Sequence, residues 1–125
     1  MYSVTVRRSF IAQHFLTVPD PGPEGELHSH RFGVELRFEG PTLNEYGYLV
    51  DIDDVKAALS PAVDRYRDAT LNDLPEFEGK NPSVERFARI LCETVVEETA
   101  LDGPERVRVT MWEDEEAAAA YETAV

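Results

Sequence analysis

The sequence predicts one α+β domain in which an antiparallel β-sheet carries two helices on one face. Alternating segments near the amino end and at residues 106–112 predict strands, and two segments with helical spacing lie between them. Short connections before and after a helical pair favour an antiparallel sheet over a parallel one. A length of 125 residues supports one hydrophobic core and not two, so residues 1–125 are treated as a single domain.

The first two strands are separated by a loop rich in proline and glycine. Residues 2–9 are rich in β-branched side chains and predict a first strand, and residues 19–25 predict the loop. Residues 30–38 predict a second strand, whose Phe32, Val34, Leu36 and Phe38 share one face. Because side chains two apart in a strand point the same way, His28 and His30 belong to that face.

The centre of the chain predicts a short extended segment followed by a helix. Residues 44–51 form the extended segment, and Asp51 or Asp53 can cap the helix that follows. The apolar residues of this helix are Val55, Leu59, Ala62 and Tyr66. Pro61 lacks a backbone donor and clashes with the preceding turn, so it predicts a kink, a break or a displaced start.

The second half of the chain predicts a clearer helix and a strand. Asn81 suits the N-cap and Pro82 the first helical position. One apolar face follows, formed by Val84, Phe87, Ala88, Leu91 and Val95. Residues 106–112 alternate as a strand, whereas the tail combines an alanine-rich run of high helix propensity with residues 121–125, which could pair as a strand. Propensity alone leaves the tail open.

The charge balance restricts the classes of partner. The chain has 25 acidic and 12 basic residues, a net charge of -13, which argues against duplex nucleic acid or an anionic membrane as partner. Ten of the basic residues are arginines. Together with the acidity, this bias indicates a halophilic protein adapted to a salt-rich cytoplasm. The alternative is an ordinary acidic protein. The amino end lacks the apolar block of a signal peptide, and Cys92 is the only cysteine, which predicts a reducing, cytoplasmic location. Cys92 falls in the helical apolar pattern and is predicted to be a buried thiol.

The three histidines of the chain, His14, His28 and His30, carry the strongest indication of chemistry. Two of them share a strand face, and one more imidazole from a neighbouring segment would complete a three-nitrogen set with an open fourth position. That set is typical of catalytic Zn²⁺. The alternative is three unrelated histidines, each satisfied at the surface or in the core.

Six segments in order resemble the 6-pyruvoyltetrahydropterin synthase family, which includes the 6-carboxytetrahydropterin synthases of queuosine biosynthesis. The segments are Phe10-Ile-Ala-Gln-His14, His28-Ser-His30, Gly47-Tyr-Leu-Val-Asp-Ile52, Leu71-Asn72-Asp73, Asn81-Pro82-Ser83 and Glu113. The resemblance implies a tunnelling fold (T-fold), with a four-stranded antiparallel sheet and two helices, assembled through sheet edges into a trimer-based homo-oligomer or a hexamer. It also implies Zn²⁺ held by His14, His28 and His30, a small-molecule pterin substrate, 7,8-dihydroneopterin triphosphate, and Glu113 as the anchor of the pterin ring.

Two departures from the family pattern bear on the reaction. Glu24 stands where the family has a catalytic cysteine, and a subfamily with this replacement forms 6-hydroxymethyl-7,8-dihydropterin. A desolvated carboxylate can act as the base, and Glu26 is the alternative. The family's Asp-His pair is replaced by residues 67–70, in which Asp68 is the candidate for the proton relay.

The leading hypothesis is therefore a zinc-dependent lyase that cleaves the substrate side chain. The alternatives are a 6-carboxytetrahydropterin synthase and a non-catalytic family member that binds pterin and zinc. A cupin-like metal protein that shares only the histidines is a further alternative.

Overall fold

The computed structural model describes all residues, 1–125, and contains a four-stranded antiparallel sheet and two helices. The strands are β1 (Tyr2–His14), β2 (His28–Gly40), β3 (Arg106–Trp112) and β4 (Ala118–Ala124), in the spatial order β1-β2-β3-β4. Helices α1 (Ile52–Tyr66) and α2 (Val84–Glu98) pack on one face of this sheet. The predicted α+β architecture is confirmed.

The register of β1 and β2 determines where the histidines lie. Tyr2 pairs with Gly40 at one end of the two strands, and His14 pairs with His28 at the other. The predicted inward face of β2 is confirmed, because its four alternating apolar residues are at most 1% exposed. The even-numbered residues of both strands therefore face the helices, and the histidines lie at the end of that buried face.

An aromatic cluster centred on Phe87 of α2 holds the helices against the strands. The Phe87 ring contacts the rings of Phe10, Phe32, Tyr66 and Phe77, with centroid separations of 4.9 to 5.9 Å. All of these separations fall within the range in which aromatic pairs add to area burial. This packing fixes α2 beside the end of the sheet that carries the histidines.

Helix α1 begins at its predicted cap and runs through its proline. The Asp51 side chain accepts hydrogen bonds from the amides of Asp53 and Asp54, which confirms Asp51 as the cap. Pro61 lies inside the helix, so the predicted break or displaced start is wrong. The buried face of α1 compensates for the missing backbone donor by packing against β1 and α2. No helix of the structure is both long enough and apolar enough to cross a membrane.

Side-chain hydrogen bonds explain two wrong boundary predictions. Residues 44–51 form turns and not a strand, because the Asn44 side chain accepts from the amides of Tyr46 and Tyr48. Helix α2 is capped by Ser83, whose side chain accepts from the Arg86 amide, and not by Asn81. The Asn81 carboxamide instead accepts a hydrogen bond from the Thr17 amide.

The tail is a strand, which resolves the ambiguity of its sequence. Ala118 pairs with Trp112, and Ala124 pairs with Arg106, along the full length of β3. Tertiary pairing outweighs the helix propensity of the alanine run, because β3 would otherwise be an exposed edge. The first two strands are also longer than predicted and end at His14 and Gly40.

A charged cluster ties the 3-10 turn Pro75–Phe77 to the end of α1. The Arg65 guanidinium donates two hydrogen bonds to Glu76, at 2.8 and 2.7 Å, and the Tyr66 hydroxyl donates a third at 2.7 Å. The hydrogen bond from Arg65 is the main cause that lowers the pKa of Glu76 to about 2. Burial and the Glu76 carboxylate raise the pKa of Tyr66 above its usual value, so the phenol remains a donor.

Candidate metal centre and adjoining cavity

The three histidines converge where β1 ends and β2 begins. His14 and His28 are directly paired across the two strands, and His30 lies two residues further along β2 on the same face. Their ring centroids are 4.6 Å apart for His14 and His28, 5.1 Å for His14 and His30, and 4.8 Å for His28 and His30. The convergence predicted from the sequence is therefore present in the structure.

Backbone carbonyls orient two of the rings. His14 Nδ1 lies 3.0 Å from the Pro82 carbonyl oxygen, and His28 Nδ1 lies 2.8 Å from that of Glu26. A carbonyl can only accept a hydrogen bond, so Nδ1 is the protonated nitrogen in both rings. In the neutral rings the lone pair is then on Nε2, as in metal-binding histidines oriented by an outer hydrogen bond.

The Nε2 atoms of all three histidines are buried, and none forms a hydrogen bond of good geometry, although a carboxylate oxygen lies close to that of His30. A buried polar atom without a partner costs about 1 to 3 kcal/mol, so three together are unlike an ordinary core. The Glu113 Oε1 atom lies 3.0 Å from His30 Nε2 and 3.7 Å from His14 Nε2. One ligand atom from each of these four residues lies within 4.8 Å of all the others. Three imidazole nitrogens and a carboxylate oxygen fit a divalent transition-metal ion.

The surroundings of His14 favour its neutral form. His14 is 1% exposed, and burial is the main cause that lowers its pKa, with smaller contributions in the same direction from His28 and His30. The Pro82 carbonyl and the charge of Glu24 act in the opposite direction. A neutral imidazole is the form that binds a metal, so His14 needs no deprotonation near neutral pH.

Glu24 lies in the loop beside the histidines but outside the four-residue cluster. It belongs to the 3-10 turn Gly22–Gly25, and its carbonyl accepts a 2.8 Å hydrogen bond from the Leu16 amide. Its side chain is exposed, and its charge raises the pKa of His14. Glu26, the alternative base, contributes its carbonyl to His28 Nδ1.

Asp68 is not brought into the cluster. It follows α1 with a left-handed backbone, φ 59°, and its amide donates to the Ile11 carbonyl. Ile11 precedes His14 by three residues of extended chain, which is about 10 Å. The proton-relay role of Asp68 stays a prediction.

Residues that position His14 were missed in the sequence analysis. Asn72 accepts a hydrogen bond from the Phe15 amide at 3.0 Å and donates one to the Phe15 carbonyl at 2.9 Å. Pro82 supplies the carbonyl that binds His14 Nδ1. Both residues lie in segments that matched the family pattern, and that match was the only indication of their importance.

A cavity of about 630 Å³ adjoins the cluster. His30 and Glu113 line it, together with residues of the sheet face opposite the helices, among them Arg7 and Arg31. A second cavity of the same volume lies between α1 and α2, but no histidine lines it. Small-molecule sites commonly have this size, so the cavity beside His30 is the candidate substrate site.

The fold and the site together define a class: an α+β protein with a candidate three-histidine metal centre beside a cavity of small-molecule size. The family model described as "6-pyruvoyl tetrahydropterin synthase" matches residues 3–124. The chain therefore belongs to the 6-pyruvoyl tetrahydropterin synthase family, a family of enzymes, as its sequence motifs predicted.

Solved structures of family members share this fold over their whole length. The chain is similar to 6-pyruvoyl tetrahydropterin synthase from Plasmodium falciparum, with a TM-score of 0.81 and 16% identity. It is also similar to the enzyme from Caenorhabditis elegans, with a TM-score of 0.79 and 20% identity. A catalytic-residue variant of the Plasmodium vivax enzyme gives a TM-score of 0.82 and 17% identity. Each likeness covers 99% of this chain and 98% of the other, and together they confirm the predicted T-fold.

Proposed function

We propose that the protein is a zinc-dependent pterin synthase that converts 7,8-dihydroneopterin triphosphate to 6-hydroxymethyl-7,8-dihydropterin. The observation that carries the proposal is the set of three buried, unpartnered Nε2 atoms beside a cavity, in a chain of this family. His14, His28 and His30 would hold the ion. Zinc in such a site acts as a Lewis acid that acidifies a bound hydroxyl group.

Glu24 is the proposed general base. Its carboxylate would remove the proton of a side-chain hydroxyl, whose electron pair then forms a carbonyl as the adjacent carbon-carbon bond breaks. The electron pair of the broken bond enters the dihydropterin ring system, and the carbon that stays on the ring takes up a proton. In the two variant structures of the Plasmodium vivax enzyme, the substituted catalytic residue is a glutamate, which supports a carboxylate in this role.

Glu113 is the proposed substrate-binding carboxylate. Its oxygen lies 3.0 Å from His30 Nε2, so its position favours contact with the part of the substrate nearest the histidines. The sequence resemblance assigns it to the guanidine-like edge of the pterin. Glu113 could instead be a fourth metal ligand, because its oxygen belongs to the four-residue cluster. Measuring the affinity of Glu113→Gln for zinc and for neopterin separates the two roles. Loss of a pterin anchor lowers only the affinity for neopterin, whereas loss of a metal ligand lowers the affinity for zinc.

A direct assay tests the proposed reaction. Zinc-loaded protein is incubated with 7,8-dihydroneopterin triphosphate, and the pterin product is identified by mass. We expect 6-hydroxymethyl-7,8-dihydropterin, at a rate at least about 100-fold lower in Glu24→Gln, whereas the matched variant Glu26→Gln retains activity. Zinc content should be unchanged in both variants.

Three other outcomes would contradict the proposal. A 6-carboxytetrahydropterin product would identify the alternative synthase. Neopterin binding without turnover at any added metal would indicate a binding protein. Equal activity of the Glu24→Gln variant and the unmodified protein would remove Glu24 from the mechanism.

We also propose that the chain forms a homo-oligomer through its sheet edges. The free edge of β1 is covered only near Ile11 and Gln13, by residues 68–70, and no strand pairs with the outer edge of β4. Unpaired edges of this length are suited to pairing with a second copy. Light scattering coupled to size-exclusion chromatography should give a trimer or a multiple of it, and a monomer would refute this.

A further inference from the structure

Glu113 approaches two histidines without forming a hydrogen bond to either of them. Its Oε1 atom lies 3.0 Å from His30 Nε2 and 3.7 Å from His14 Nε2. Both nitrogens are buried, and neither has a hydrogen-bond partner of good geometry. A proton shared between the carboxylate and an imidazole would place the oxygen along the N–H direction. The approach to His30 therefore has the distance of a hydrogen bond but not its direction.

The two distances match those between neighbouring ligands of one metal ion. Ligand atoms about 2.0 to 2.1 Å from a tetrahedral zinc ion are roughly 3.3 to 3.4 Å from one another. The separations of the Glu113 oxygen from His30 Nε2 and from His14 Nε2 fall on either side of that value. His28 completes the set, in which each residue has one ligand atom within 4.8 Å of all the others. The Glu113 oxygen thus lies where a fourth ligand would lie.

The four side chains differ in how firmly they are held. Backbone carbonyls bind the Nδ1 atoms of His14 and His28. His30 lies within β2, and its ring packs against that of Phe32. Glu113 follows the last residue of β3, its carboxylate accepts no hydrogen bond, and it lines the cavity beside His30. Of the four ligands, Glu113 is the one that can leave without breaking another contact.

We propose that Glu113 is an exchangeable fourth ligand, which completes the metal centre while the cavity is empty and leaves it when the substrate binds. A catalytic zinc site keeps its fourth position for the substrate, and here a carboxylate protects that position until the substrate arrives. The released carboxylate is then free to accept hydrogen bonds from the pterin. Glu113 thereby has both roles, one in the empty site and one in the complex. The exchange rests on the proposed function, whereas ligation by Glu113 does not.

Azide tests the occupancy of the fourth position without any pterin. The protein is loaded with Co²⁺, azide is titrated, and the visible absorption bands of the cobalt are recorded. Azide has to displace Glu113 in the unmodified protein, so its Kd should be at least about 10-fold lower in Glu113→Gln. The affinity of Glu113→Gln for Co²⁺, measured by competition with a chelator, should fall by at least about 10-fold. Misfolding would weaken both affinities, whereas loss of a ligand changes them in opposite directions.

Glu115→Gln is the matched control for the change in charge. Glu115 lines the same cavity and carries the same charge, but it does not belong to the four-residue cluster. Its substitution should change the Kd of azide by at most about 3-fold and leave the affinity for Co²⁺ unchanged. Equal affinity of Glu113→Gln and the unmodified protein for azide would overturn the ligation by Glu113, even in an enzyme that turns over its substrate.

Neopterin tests the exchange itself. Added at saturation to the unmodified cobalt protein, with binding followed by the fluorescence of the pterin, it should shift the cobalt absorption bands. Bound neopterin with unshifted bands would overturn the exchange. A protein that never binds neopterin would refute the proposed substrate and its exchange with Glu113, whereas tighter binding of azide by Glu113→Gln would still support the ligation.

Discussion

Replacing Asn72 by alanine should weaken both the fold and the metal centre. The Asn72 side chain forms two hydrogen bonds with the backbone of Phe15, at 3.0 and 2.9 Å, in a half-buried position. Each contributes roughly 1 kcal/mol net, so we expect the free energy of unfolding to fall by about 2 kcal/mol. A domain of this size retains its fold after such a loss. Because Phe15 follows His14 directly, zinc affinity should also fall, by about 10-fold or more.

Urea denaturation of metal-free protein at a fixed concentration measures the stability, and competition with a zinc chelator measures the affinity. Asn44→Ala is the matched control, since the Asn44 side chain also binds two backbone groups but in an exposed loop far from the histidines in sequence. It should cost less than about 1 kcal/mol and leave zinc affinity unchanged. The reasoning is refuted if Asn72→Ala changes stability by no more than Asn44→Ala does.

Three further predictions concern the core and its charged cluster. The pKa of Glu76 is held at about 2, below its usual 4.5, so its contribution to stability is present above pH 4.5 and is lost as the pH falls to 2. In acid denaturation, the stability difference between the unmodified protein and Glu76→Gln should therefore close over that interval, and a constant difference would contradict the assignment. Tyr66→Phe removes a donor to a carboxylate while the ring still packs on Phe87, and should cost about 1.5 to 3 kcal/mol by urea denaturation. Burial raises the pKa of the Cys92 thiol to about 11, so a thiol reagent at pH 8 should label Cys92 only in denaturant, and rapid labelling of the native protein would disprove this.

Periodicity predicted the elements whose stability depends on their own apolar pattern. The bounds of β3, Arg106–Trp112, were predicted to the residue, because every second side chain of this strand is buried. Boundaries set by side-chain hydrogen bonds were not predictable. The Asn81 side chain is suited to an N-cap, but it instead accepts a hydrogen bond from the amide of Thr17, which is 64 residues away in sequence.

The features of the candidate site likewise fall into two groups: those set by the local sequence, which were predictable, and those set by tertiary packing, which were not. The alternation of His28 and His30 along one strand is a local property, and it correctly predicted a shared face. The hydrogen bond of His14 to Pro82 spans 68 residues and depends on how α2 docks on the sheet. The closeness of Glu113 to the histidines likewise depends on the pairing of β2 with β3, which places the end of β3 beside the start of β2.

The unequal burial of the three histidines determines which substitutions can separate loss of metal binding from loss of folding. His14 is 1% exposed and packs against Phe32 in the core, whereas the His30 side chain is 20% exposed. A truncation at position 14 therefore leaves a hole in the interior and confounds misfolding with loss of ligation. Genetic separation of function should instead be sought at positions 28 and 30, where a neutral amide can replace the imidazole without emptying the core.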